Sequence, residues 1–152
     1  MKKTMLYLSM VLLALSCTSE ESDKNAATPT LSDTIEFSQL SARPTAEGAN
    51  SAAYFTIVNG TDSADTLAAM ESESFKRAEL HESYTTEEGL SGMRPVGTIA
   101  IPSGDSLTLK PGSYHVMLMQ AATNFSSGDS IPLTLKFTRS GSKSLNLPVN
   151  RF

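Results

Sequence analysis

The sequence predicts a single all-β domain, and three observations carry that prediction. Apolar and polar residues alternate in short runs, most clearly in Leu133, Leu135 and Phe137 and again in Leu145, Leu147 and Val149. Clusters of Gly, Pro, Asn, Asp and Ser separate these runs at close intervals, the spacing of a sandwich or barrel. The chain has 152 residues, enough for one domain with a real core and short for two. No internal repeat is visible.

Taken in order, the chain opens with Lys2 and Lys3 followed by the apolar-to-small run from Met5 to Ser16. That run is too short to span a bilayer and has the size of a secretory signal segment. It ends in Ala14-Leu15-Ser16-Cys17, which resembles a bacterial lipobox, so residues 1–16 are predicted to be a lipoprotein signal peptide. Cys17, the only cysteine, is expected to be the lipidated mature N-terminus, an anchor rather than a redox or metal residue. Residues 17–32 are polar without apolar periodicity and read as a flexible tether. Glu20-Glu21 resembles the acidic sorting signal of surface lipoproteins and also suits a solvated linker.

The domain proper is predicted over residues 33–152. Its candidate strands are Thr34 to Gln39, Ala52 to Asn59, Phe75 to Glu82, Gly97 to Ile101, Ser106 to Leu109, Ser113 to Gln120, Ile131 to Arg139 and Lys143 to Val149. Phe75 to Glu82 (FKRAELHE) could also start a short helix. Turns fall at Asn59-Gly60, Glu88-Gly89, Pro102 to Asp105, Pro111-Gly112, Ser127 to Asp129 and Ser140 to Ser142.

Charge narrows the function. Of 12 Lys and Arg, Lys2 and Lys3 leave with the leader, so a formal −6 remains against 16 Asp and Glu. No basic patch suggests nucleic acid. With Cys17 lipidated, no disulfide and no thiolate site is expected, which excludes a blue-copper electron-transfer centre. No HExxH, GxSxG or Gly-rich phosphate loop appears, and no catalytic turnover is expected.

The informative stretch is Pro111 to Met119. On a strand, residues i and i+2 share a face, so His115, Met117 and Met119 lie opposite Tyr114, Val116 and Leu118, which look like core. The histidines number two, His81 and His115. Outside the leader the methionines are Met70, Met93, Met117 and Met119. Neutral thioethers with imidazoles suit Cu(I), and they suit Zn(II), Mg(II) or Ca(II) poorly. Met70 and Met119 read as packing residues. Met119 lies about 13 Å from His115 along an extended strand, the place of a hydrophobic lid. Glu79 and Glu82 beside His81 offer an alternative zinc set with the two histidines, one that leaves Met93 and Met117 without a purpose.

The spacing H-x11-M-x21-H-x-M, from His81 through Met93 and His115 to Met117, resembles the signature of the periplasmic copper chaperone family PCu(A)C. Ala42-Arg43-Pro44, Tyr54 to Asn59, Glu79 to Glu82, Met93 to Val96 and Leu109 to Met119 extend the resemblance over residues 33–150. The resemblance implies a cupredoxin-like Greek-key β-barrel or sandwich that holds one Cu(I) through His81, Met93, His115 and Met117. It also implies transfer to an acceptor, either the CuA site on subunit II of cytochrome c oxidase or a Sco-like thioredoxin-fold protein. Some members carry a methionine directly after the first histidine, where this chain has Glu82. Members with a His/Met-rich C-terminal tail bind additional copper; here the chain stops at Asn150-Arg151-Phe152, so one ion is expected. The expected setting is extracytoplasmic and membrane-anchored. The competing reading is a metal-free β-sandwich lipoprotein serving in adhesion or as a scaffold.

Overall fold

The structure is a computed structural model that describes residues 32–151. The predicted signal peptide, Cys17 and nearly all of the predicted tether lie outside the described residues. Ten strands run as β1 (Ile35–Ala42), β2 (Ser51–Asn59), β3 (Asp65–Glu71), β4 (Phe75–Thr85), β5 (Ser91–Pro95), β6 (Ile99–Ile101), β7 (Ser106–Leu109), β8 (Tyr114–Ala121), β9 (Ser130–Phe137) and β10 (Gly141–Pro148). They form two antiparallel sheets. One has the order β1-β2-β8-β4-β5, with β7 pairing the second half of β2, and the other has the order β10-β9-β3-β6. The chain passes from sheet to sheet five times, so strands distant in sequence become neighbours. This is the sandwich that the alternation predicts.

The core lies between the sheets. Ala53, Phe55 and Ile57 of β2, Val116 and Leu118 of β8, and Leu80 of β4 face Ile131, Leu133, Leu135 and Phe137 of β9 and Leu147 of β10, all buried. Each side chain larger than Ala53 contributes about 1.5–3 kcal/mol by leaving water, which fixes the register, since a one-residue slip would turn every one of them outward. Tyr114 packs on the margin of this core.

Two strands were not predicted, and FKRAELHE is strand, not helix. β3 reads Asp-Thr-Leu-Ala-Ala-Met-Glu, too rich in small residues to alternate visibly, and a bulge between Leu67 and Ala69 breaks its register with β9. β5 (Ser91–Pro95) contains Gly92, Arg94 and Pro95 and pairs only with β4, at the sheet edge where proline is tolerated. Gly97 to Ile101 shrinks to Ile99–Ile101.

Two buried polar side chains staple the sandwich. Asn59, fully buried at the end of β2, donates from Nδ2 to the carbonyls of Ser63 (2.9 Å), Ile101 (2.9 Å) and Pro102 (3.1 Å). Its Oδ1 accepts from Thr61 N and Thr61 Oγ1. One amide thus joins β2 of the first sheet to the end of β6 in the second. Asp65, at the start of β3, accepts from the backbone N–H groups of Thr66, Arg139 and Ser140 and from Thr138 Oγ1, at 2.7–3.1 Å. Burial alone would raise its carboxyl, but hydrogen bonds from Ser140, Arg139 and Thr66 outweigh burial and hold it far below the ordinary carboxylate range.

Candidate metal centre

The outward face of the first sheet gathers the predicted donors. β4 and β8 pair so that His81 stands opposite His115, Glu79 opposite Met117 and Arg77 opposite Met119. β5 pairs β4 with Met93 opposite Ser83 and Pro95 opposite His81. Period-two alternation then sets Arg77, Glu79, His81 and Ser83, Met93, and His115, Met117 and Met119 on one face. The ring centroids of His81 and His115 lie 6.1 Å apart. Tyr54 of β2 brings its ring to 6.5 Å from that of His115 on the other side.

A cleft of about 460 Å3 opens here, lined by Met93, His115, Met117, Tyr54, Arg43 and Pro44 among others. Three of the four predicted donors line it. His81 stands beside it, against the ring of His115. The donors differ in access: His115 is 4% exposed, although it points away from the inter-sheet core, whereas Met93 is 57% exposed. Met93 belongs to the β4–β5 hairpin, which also carries Tyr84 and Leu90, and these three are the exposed large apolar residues among those described.

Each imidazole has one nitrogen occupied. His115 Nδ1 lies 3.0 Å from the carbonyl oxygen of Ser113. A carbonyl only accepts, so Nδ1 carries the proton and Nε2 keeps its lone pair. His81 Nε2 lies 3.2 Å from Glu79 Oε2, so there Nε2 donates and Nδ1 keeps the lone pair. Such partners orient an imidazole and leave its other nitrogen free for a metal. Glu79 is itself held by Arg77 Nη1 at 3.4 Å. Arg77 Nη2 also donates to Met119 Sδ at 3.4 Å, so the Met119 sulfur is engaged by a guanidinium. Met70 packs against the core, as a gap-filling methionine does.

The zinc alternative loses its fourth group. Glu82 follows His81 directly and faces the other side of the sheet, where Arg94 grips it at 2.8 and 3.0 Å. That carboxylate raises the Arg94 guanidinium, whose Cζ lies 5.4 Å from the Tyr84 ring centroid. Among the described residues no group of three or more His, Cys, Asp or Glu converges to hold an ion. The groups gathered on this face are two imidazoles and two thioethers, a donor set that suits a soft monovalent ion.

In the sequence, Glu79 stands out as a zinc candidate and as part of a matching segment, and Arg43 and Tyr54 as parts of matching segments. Glu79 was within reach of the i, i+2 rule applied to His81. The Ser113 carbonyl has no side-chain signal at all.

Comparison with known proteins bears on both fold and family. The family model described as "Putative lipoprotein LpqE-like" matches residues 35–149. The uncharacterised protein RP573 of Rickettsia prowazekii (strain Madrid E) is 30% identical over 120 residues, covering 76% of this chain and 66% of that protein. The putative lipoprotein Lxx21020 of Leifsonia xyli subsp. xyli is 29% identical over 108 residues, covering 70% of this chain and 65% of the relative. The chain therefore spans just under two thirds of the length of these relatives. Among solved structures, the copper-bound PCuAC domain from PmoF2 superimposes with a TM-score of 0.63 at 22% identity, over 78% of this chain and 93% of that one. The solution structure of CuI-DR1885 from Deinococcus radiodurans gives a TM-score of 0.59 at 26% identity, over 82% and 85%. The fold is therefore the cupredoxin-like fold of PCuAC domains, and the chain belongs to the LpqE-like family, which is related to them.

Proposed function

We propose that this protein is an extracytoplasmic copper chaperone that binds one Cu(I) through His81, Met93, His115 and Met117. The carrying observation is the register that sets His81 opposite His115, with Met117 and Met93 at the same cleft and each imidazole keeping one free lone pair. The similar solved structures include a copper-bound and a CuI-bound domain, which supports the same reading. Neutral donors bind Cu(I) without the grip of thiolates, and the exposed Met93 lets an acceptor's ligand exchange with it first. This is carriage without turnover.

The acceptor in this reading is the CuA site of cytochrome c oxidase subunit II, or a Sco-like thioredoxin-fold protein. The protein works from a membrane surface, with residues 1–16 removed, Cys17 lipidated and residues 17–32 as tether. The lipoprotein descriptions of its family and of a relative support this setting.

The test is a competition titration of the purified full chain in detergent with Cu(I) and a chromophoric chelator under reducing conditions. One tightly bound Cu(I) with little Zn(II) affinity is expected. No Cu(I) binding would return the molecule to the adhesion or scaffold reading. Delivery is read by mixing the Cu(I)-loaded chain with a soluble CuA domain under the same reducing conditions, separating the two proteins and measuring the copper in each. No gain there, with Cu(I) still bound, would remove that acceptor alone.

A further inference from the structure

The cleft has a charge opposite to the one a cation site ordinarily carries. Arg43 is the one formally charged residue lining it, and the donors are neutral. Two backbone contacts hold Arg43 there, just past the end of β1: its N–H donates to the Ala52 carbonyl at 2.9 Å, and its carbonyl accepts from Ser51 Oγ at 2.6 Å. Among the described residues its guanidinium makes no hydrogen bond or ion pair. The nearby carboxylate, Glu79, stands opposite Met117 and is committed to Arg77 and His81. Glu82 and Arg94 face the other side of the sheet and neutralise each other.

We propose that Arg43 is a specificity-determining residue that biases the cleft toward monovalent over divalent ions. The inference rests on the copper-binding reading above. A permanent positive charge repels a bound ion in proportion to the ion's own charge. Removing it therefore tightens a divalent ion by the square of the factor by which it tightens a monovalent one. The donors supply softness and Arg43 supplies charge discrimination, a second filter independent of ligand type. The same field favours Cu(I) over Cu(II) in the cleft.

The experiment compares the full chain with Arg43→Gln and with Arg43→Lys, which keeps the charge. Dissociation constants for Cu(I), Cu(II) and Zn(II) are measured by chelator competition, and the Cu(II)/Cu(I) midpoint potential by voltammetry. For Arg43→Gln the expected tightening is about fivefold for Cu(I) and about 25-fold for the divalent ions at a partly screened separation. The potential should fall by about 40 mV, which is that fivefold difference converted at 59 mV per tenfold. Arg43→Lys should stay near the parent in each measurement. An equal response of all three ions, or no response, overturns the inference while leaving Cu(I) binding intact. A parent chain that binds no Cu(I) overturns the copper reading and the inference with it.

Discussion

Single side chains set what the cleft can hold. Replacing His115 or Met117 with Ala should lower Cu(I) affinity at least tenfold, because each would remove one of the four donors of the proposed site, while unfolding stays cooperative. Chelator competition and a thermal melt on the same samples check both halves. Unchanged affinity would remove that residue from the ligand set. Affinity should also weaken as the pH is lowered from about 8 to about 5, since protons compete with the metal for imidazole lone pairs. An affinity flat across that range would mean that neither histidine binds. Glu79 acts one step back: Glu79→Ala releases His81 Nε2 and should cost about 10-fold or more in affinity, with the thermal melt near that of the parent. Much of this was legible in the chain. His115 and Met117 declared themselves by the i, i+2 rule, and composition pointed to a soft ion. Their meeting with His81 was not legible from alternation, because it depends on the non-local register of β4 against β8; only the resemblance in spacing implied it.

Strands and turns carry the stability that holds those donors in register. Asn59→Ala removes the amide that donates to three carbonyls, of which those of Ser63 and Pro102 keep a second donor in Thr61 Oγ1 and the Asp105 N–H, and should cost about 1–3 kcal/mol in a denaturant titration. Gly60 beside it allows a close approach: a Cβ there would meet Ser32 Oγ and the Thr34 carbonyl oxygen. Gly60→Ala should therefore cost about 1–3 kcal/mol. Asp65 works through charge. Its carboxyl is depressed in the folded protein, so the unfolded chain binds the proton first as the pH falls. The stabilisation is complete above the unfolded value of 3.8 and is lost as the pH drops below it. In Asp65→Ala the stability at neutral pH should fall by about 3 kcal/mol, and part of the acid sensitivity should go with it. Local sequence pattern reveals some of these elements and hides others. β9 and β10 alternate openly because one face of each meets the core. β3 hides behind small residues and a bulge, and β5 is an edge strand whose pairing with β4 no local pattern announces.

At the scale of the molecule, the sandwich separates stability from exchange. Its hydrophobic payload lies between the sheets, while the donors stand on the outer face of one sheet, so the site can be altered without emptying the core. The graded exposure of the donors, from His115 at 4% to Met93 at 57%, also has a chemical cost. A thioether open to solvent is the first to meet an oxidant, and its sulfoxide is polar and no longer a soft ligand. Mild peroxide should convert Met93 before Met117, read by peptide mass mapping, and copper binding should fail in step with that single oxygen atom. Recovery would then depend on a methionine sulfoxide reductase working outside the cytoplasm, and in the proposed role the same openness that would let an acceptor in would leave the carrier perishable where oxidants are abundant.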